Sequence, residues 1–199
     1  YPGLNLRSSE SEAGKQAETN VFGFWVFLMS DLVTFSLFFA IYATMLGATA
    51  GGPGNADIVD LVSIGFQTGA LLCSSLAFGF ATLAMKYHAP PRNVVLWLLV
   101  AVGLVFLGLE IRDFAHAAEI GAVPMRSGYL SAYWALVGLH GLHVTVGSLM
   151  ILAVIAQIGL FGLRSDVKSR VLRLGLYWHF LDVIWVGIIS VVFLPGVIG

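Results

Sequence analysis

Among the side chains able to carry charge inside long apolar runs of this sequence, six stand out: Asp31, Glu110, His140, His143, His179 and Asp182. Carboxylates and imidazoles in oil can do three things: hydrogen-bond one helix to another, hold or pass a proton, or ligate a metal. The first reading is structural, with these groups joining helices. The second is proton handling, or control of a neighbouring subunit's proton uptake. A metal site comes third. His140 and His143 are spaced i, i+3 and share a helix face, but metal sites in helix bundles recruit more carboxylates than Glu110 alone. The lone Cys73 allows no cysteine cluster, and no Cys or Met set is arranged for copper or iron. There is no Gly-rich phosphate loop and no nucleophile elbow, so no catalytic centre is expected in this chain.

Energetics constrain where these groups point. An Asp at a span centre costs roughly 2.5–3.5 kcal/mol, while each Leu or Phe returns about 0.3–0.6. One acid does not stop a long apolar helix from inserting, but it must face protein rather than lipid. Depth then suggests partners. At about 1.5 Å per residue, Asp31, His179 and Asp182 fall roughly 12–17 Å from one face. Glu110, His140 and His143 lie nearer the other. The expectation is an inner cluster of Asp31, His179 and Asp182 joining the first and fifth spans. An outer cluster would join the third and fourth through Glu110 with His140 or His143.

The elements that must position them follow from composition. Of 199 residues, 58% are hydrophobic and only 11% charged, against about 25% charged in soluble domains. Too few polar residues remain to cover a water-soluble core. Ten Lys and Arg against eleven Asp and Glu leave no basic footprint for nucleic acid. A spanning helix needs about 20 apolar residues, and five segments qualify: 20–47, 59–85, 93–118, 128–161 and 171–196. Their runs are continuous rather than alternating, which excludes a barrel. The fold class is therefore all-α, an integral membrane bundle of five transmembrane helices.

Gly51-Gly52-Pro53-Gly54-Asn55, Pro90-Pro91, the stretch 123–128 and the charged turn 164–170 separate the spans. Residues 1–19 read as a polar leader without a cleavable signal pattern, ending in a Thr19/Asn20 helix cap; residues 20–199 form the transmembrane domain. No internal repeat points to an inverted-repeat transporter. Eight cations (Arg7, Lys15, Lys86, Arg92, Arg164, Lys168, Arg170, Arg173) share the side of the leader, and two, Arg112 and Arg126, lie opposite. This split predicts a cytoplasmic amino terminus and a periplasmic carboxyl terminus. Gly138, Gly141, Thr145 and Ser148 form a small-residue stripe for close helix approach. Trp25, Trp97, Trp134, Trp178 and Trp185 divide between interface anchors and packing, and Phe35, Phe38 and Phe39 read as a packing or lipid face.

Three motifs in order carry a family resemblance. They are Gly23-Phe24-Trp25 through Leu28-Met29-Ser30-Asp31, then His140-Gly141-Leu142-His143-Val144 with Gly147, and Tyr177-Trp178-His179-Phe180-Leu181-Asp182 with Trp185. Together they resemble subunit III of the haem–copper terminal oxidases, over about residues 20 to 196. Most cytochrome c oxidase third subunits have seven helices. Five spans, with Arg126-Ser127-Gly128-Tyr129-Leu130-Ser131-Ala132, look like the cytochrome bo-type ubiquinol oxidases. Some bacterial cytochrome c oxidases also have short third subunits, so that alternative stays open. A stand-alone proton or ion transporter is the alternative from a different class.

The resemblance implies a chain with no haem or copper of its own, those belonging to subunit I. It implies packing on subunit I and the other subunits, support of the catalytic core during turnover, influence on proton uptake, and phospholipid contacts in the bacterial inner membrane. Asp31 matches the family's membrane-buried, carbodiimide-reactive carboxylate, with Asp where many members have Glu. The family's lipid cleft lies between two-helix and five-helix parts, and here the former would come from another chain.

Overall fold

The computed structural model describes residues 12–54, 58, 60–87 and 90–195. Residues 1–11 of the expected leader, Asn55, Val59 and everything from 196 onward lie outside the described residues. Among those described, the chain is all-helical, with five stretches long and apolar enough to cross a membrane. In order these are α1 (Glu12–Met45), α2 (Leu61–Lys86), a third span built from α3 (Pro91–Ala101) and α4 (Leu104–Glu119), α5 (Gly128–Phe161) and α6 (Ser165–Ile188). A five-residue π-helical turn, Ile189–Phe193, continues α6.

Local chemistry sets most of the boundaries. The Asp60 carboxylate caps α2 by accepting from the Val62 N–H at 3.0 Å. Pro90 and Pro91 open α3, where their missing N–H groups cost nothing. Gly121, with φ +76°, ends α4. The Ala122 N–H reaches Ala117 O at 2.8 Å, and the Gly121 N–H reaches Ala118 O at 3.1 Å. This double bond pattern is the Schellman closure of a helix end. Ser127 Oγ accepts from the Leu130 N–H at 3.1 Å to start α5, and Gly162 with φ +68° stops it. At the end of α6 the Leu194 N–H bonds Ile189 O at 2.8 Å, an i→i+5 pattern.

Two boundaries differ from expectation. α1 begins at Glu12 rather than at a Thr19/Asn20 cap. Glu12, Ala13, Lys15, Gln16, Ala17 and Glu18 are good helix formers and simply extend the apolar helix backwards. The third span is interrupted at Val102–Gly103 instead of running unbroken. A Cβ at Gly103 would lie 3.2 Å from both Trp178 Cη2 and Val144 Cγ1, so the bend brings bare backbone against a tryptophan.

α5 and α6 form the centre. α2 packs on the third span and on α6, while α1 lies outside against α5 and α6. In the most apolar window of α1 only 11% of residues are buried, compared with 50% for the fifth span. Leu28, Phe35 and Tyr42, seven residues apart, are its buried stripe. Trp178 and Trp185 are core residues, with indole N–H groups donating to Ser74 Oγ at 3.0 Å and Thr68 Oγ1 at 3.2 Å.

Candidate functional site

Asp31 follows Leu28 by three residues and precedes Phe35 by four, so it falls on the buried stripe of α1. Its Oδ2 lies 3.3 Å from His143 Nε2 on α5, an ion-pair distance, although outside hydrogen-bond alignment. His143 Nδ1 is 2.7 Å from the Leu139 carbonyl oxygen. A carbonyl only accepts, so Nδ1 carries a hydrogen and donates it there. In the neutral imidazole, Nε2 then turns a lone pair toward Asp31. Phe35 packs 5.1 Å from the His143 ring, and Tyr177 Oη donates to His143 O at 3.0 Å. The His143 and Asp31 side chains keep 20% and 13% of their surface exposed, so the pair sits where the α1–α5 seam opens outward.

Asp31 therefore pairs with the fourth span, not with His179, and His143 leaves the expected outer cluster. The reason is length. At ~1.5 Å per residue, the 34 residues of α5 run about 51 Å, well beyond a ~30 Å hydrocarbon core. Counting from one end of such a helix does not fix depth.

His179 joins a different chain of groups. Its Nδ1 lies 2.8 Å from Ser75 Oγ on α2 and 3.4 Å from Asp182 Oδ2 one turn away. The His179 side chain is 54% exposed, so it is not buried within this chain as expected. Asp182 is largely covered, and its Oδ1 is buried without a partner.

The third-span carboxylates divide their roles. Asp113 Oδ2 accepts from Ser63 Oγ at 2.5 Å and from Gln67 Nε2 at 2.6 Å, both on α2. Arg112 Nη2 lies 3.1 Å from Asp113 Oδ1 and 3.5 Å from Asp60 Oδ2. Glu110, one turn back, is 5% exposed, and its carboxylate lies directly against Gly141 of α5. The expected Glu110 bond to His140 or His143 is not made among the described residues; Oε1 is buried without a partner. His140 is fully buried, stacked on Trp185 at 5.3 Å and edge-on to Phe106 at 5.7 Å, with both ring nitrogens unpartnered. Glycine at 141 explains the difference: the missing Cβ lets the carboxylate slide onto α5 backbone instead of reaching an imidazole.

The small-residue stripe works only in part. Gly138 and Gly141 face Phe114 and Glu110 of α4, and Ser148 is buried, but Thr145 is exposed and bonds back to Gly141 O at 2.8 Å. The closest approach to α6 is instead at Gly147, where a Cβ would lie 2.9 Å from the Trp178 ring. Sequence reading did not single out Asp113, Gln67 or Ser75. The i, i+3 step from Glu110 to Asp113 and the i, i+4 step from Ser63 to Gln67 were the available signals.

Among the described residues no group of three or more His, Cys, Asp or Glu side chains is placed to hold a metal ion. The profile of the family described as "Cytochrome c oxidase subunit III" matches residues 15–197. The chain is 43% identical over 183 residues to the cytochrome bo(3) ubiquinol oxidase subunit 3 of Pseudomonas putida, covering 91% of this chain and 88% of that one. It is 35% identical over 192 residues to the quinol oxidase subunit 3 of Bacillus subtilis, with 96% and 92% covered. The cytochrome c oxidase subunit 3 of Alkalihalophilus pseudofirmus is 37% identical over 196 residues, with 98% and 95% covered. Matched nearly end to end and carrying its motifs on five apolar helices, the chain belongs to the cytochrome c oxidase subunit III family and is a multi-pass membrane subunit of a haem–copper terminal oxidase.

Proposed function

We propose that this chain is the non-catalytic, accessory subunit III of a proton-pumping ubiquinol oxidase in the bacterial inner membrane. Its amino terminus faces the cytoplasm and its carboxyl terminus the periplasm, as the eight-to-two cation split supports. Haems and copper reside in subunit I. This chain braces that subunit and tunes its proton uptake, with the Asp31–His143 pair as the proton-holding group on its flank.

The observation that carries this reading is His179. An imidazole 54% exposed on the side of a membrane helix, with Ser75 and Asp182 beside it, is costly against acyl chains. Another protein chain over that face supplies the missing polar surroundings. Phospholipid is a second partner. A groove of ≈ 240 Å³ runs past Phe24, Met150, Ala153, Val154 and Leu174 to Gln157, Arg170 and Arg173. An acyl chain suits its apolar wall and a headgroup phosphate its two guanidinium groups.

The test is purification from native membranes followed by a visible spectrum and a donor assay. We expect co-purification with a large haem-bearing chain and oxygen uptake on ubiquinol. A solitary monomer that moves protons in vesicles would overturn the subunit reading in favour of a transporter. The similarity to the Alkalihalophilus pseudofirmus protein, named as a cytochrome c oxidase subunit, favours a second reading; oxygen uptake on reduced cytochrome c and not on quinol would select it.

A further inference from the structure

Among the described residues, Glu110 is the one buried carboxylate that neither the Asp31 pair nor the His179 chain uses, and it borders a cavity. Ile64, Gln67, Asp113, Tyr133 and Phe193 line that space with Glu110, and Asp60 stands at its loop end. Its ≈ 20 Å³ exceeds the ~10–15 Å³ that a single water occupies. Residues with polar groups are at hand: Glu110, Gln67, Asp113 and Tyr133 all line it. A water in a buried site needs two to four such neighbours.

The polar lining of this space comes from three helices. α2 offers Gln67, which bonds Ser63, with Asp60 at its cap; α4 offers Asp113, which pairs with Arg112; α5 offers Tyr133; the π turn adds only Phe193. The sole cation among these, Arg112, is turned to Asp60 and Asp113. Glu110 Oε1 is left with no protein partner. A carboxylate buried without a counter-ion is strongly disfavoured.

We propose that the cavity holds one water bonded to the Glu110 carboxyl, making Glu110 a proton-exchange site that opens on the Asp60–Arg112 end of the bundle. In the exchange step an O–H bond of a hydronium in the cavity breaks as an O–H bond forms on the Glu110 carboxyl. Hydronium and carboxylate become water and neutral carboxylic acid, and the reverse step returns the proton. The site is separate from the Asp31–His143 seam and does not depend on which electron donor the complex uses.

Infrared spectroscopy of the purified oxidase complex tests it. We expect a carboxylic C=O stretching band that is absent from the Glu110→Gln complex and moves to lower wavenumber when buffer H2O is replaced by D2O. Filling the cavity with Ile64→Phe should leave the band in place and slow that shift. If Glu110→Gln fails to assemble, Glu110→Asp keeps a carboxyl one methylene shorter, and its band should sit at a different position. An unchanged band in Glu110→Gln would show that Glu110 is ionised and would overturn the proposal. So would a band lost in Glu110→Gln that ignores D2O in the wild-type complex, because it would show that no water reaches the carboxyl.

Discussion

The α1–α5 seam and the α2–α4–α5 interior place carboxylates in opposite circumstances. On the seam, Asp31 meets a single imidazole, beside a helix of which little is covered. In the interior, Asp113 takes two hydrogen bonds from α2 and an ion pair from Arg112, while Glu110 presses on bare α5 backbone. A mostly uncovered helix depends on other molecules for its surroundings, so its polar group can respond to a partner or to lipid. The interior network depends on this chain's own packing, and a change there acts first on the fold.

That contrast predicts a graded series of effects. Asp113→Ala should be the most damaging change, because it orphans the Ser63 hydroxyl donor at about 1–3 kcal/mol, breaks the Arg112 ion pair and leaves the Gln67 amide only Ser63 Oγ at 3.2 Å. Thermal release of this subunit from the detergent-solubilised complex should fall to markedly lower temperature; an unchanged release temperature would mean that the interior network does not hold α2 to α4. Gly141→Ala comes next. Its Cβ would sit 2.5 Å from Glu110 Oε1, and overpacking of this kind costs about 1–3 kcal/mol. The same thermal assay checks it.

Asp31→Ala should cost less in stability, about 0.6 kcal/mol and at most ~1.7, the range found for polar contacts between membrane helices. The haem spectrum should stay intact while the enzyme loses activity sooner during sustained turnover. Loss of the haem signal from a correctly assembled complex would contradict this. A hydrophobic carbodiimide should label Asp31 well before Glu110, read by peptide mass spectrometry, because Asp31 lies on the scarcely covered helix α1 while Glu110 is packed between helices; equal labelling would erase the contrast between the two regions. Gly159→Ala should do least, within about 0.5 kcal/mol, since nothing lies within 4 Å of the position its Cβ would take.

Much of the fold was legible because bilayer thickness imposes a length that composition reveals directly. The double proline at 90–91 and the stretch 123–128 before the fourth span marked boundaries with local chemistry alone. The Val102–Gly103 break was not legible, because a lone glycine inside an apolar run carries no local instruction to bend; Trp178 and Val144, far away in sequence, decide it. The same holds for polar partners. Residue type and energy cost showed that Asp31, Glu110 and the histidines need company, but not which company. His143 belongs with Asp31 because a long fourth helix slides past the bilayer edges, and Glu110 misses His140 because Gly141 lets it settle elsewhere.

The chain's order of residues thus determined that it lives in a membrane, how often it crosses, and which family it joins. These follow from apolar length, helix-stopping residues and motifs read along one dimension. Tertiary structure alone decided which helices became neighbours, which charge-capable groups met, and which was left facing a water-sized space. Those outcomes depend on distances between residues far apart in the chain, where one absent Cβ or a few ångströms of helix overhang changes the partner.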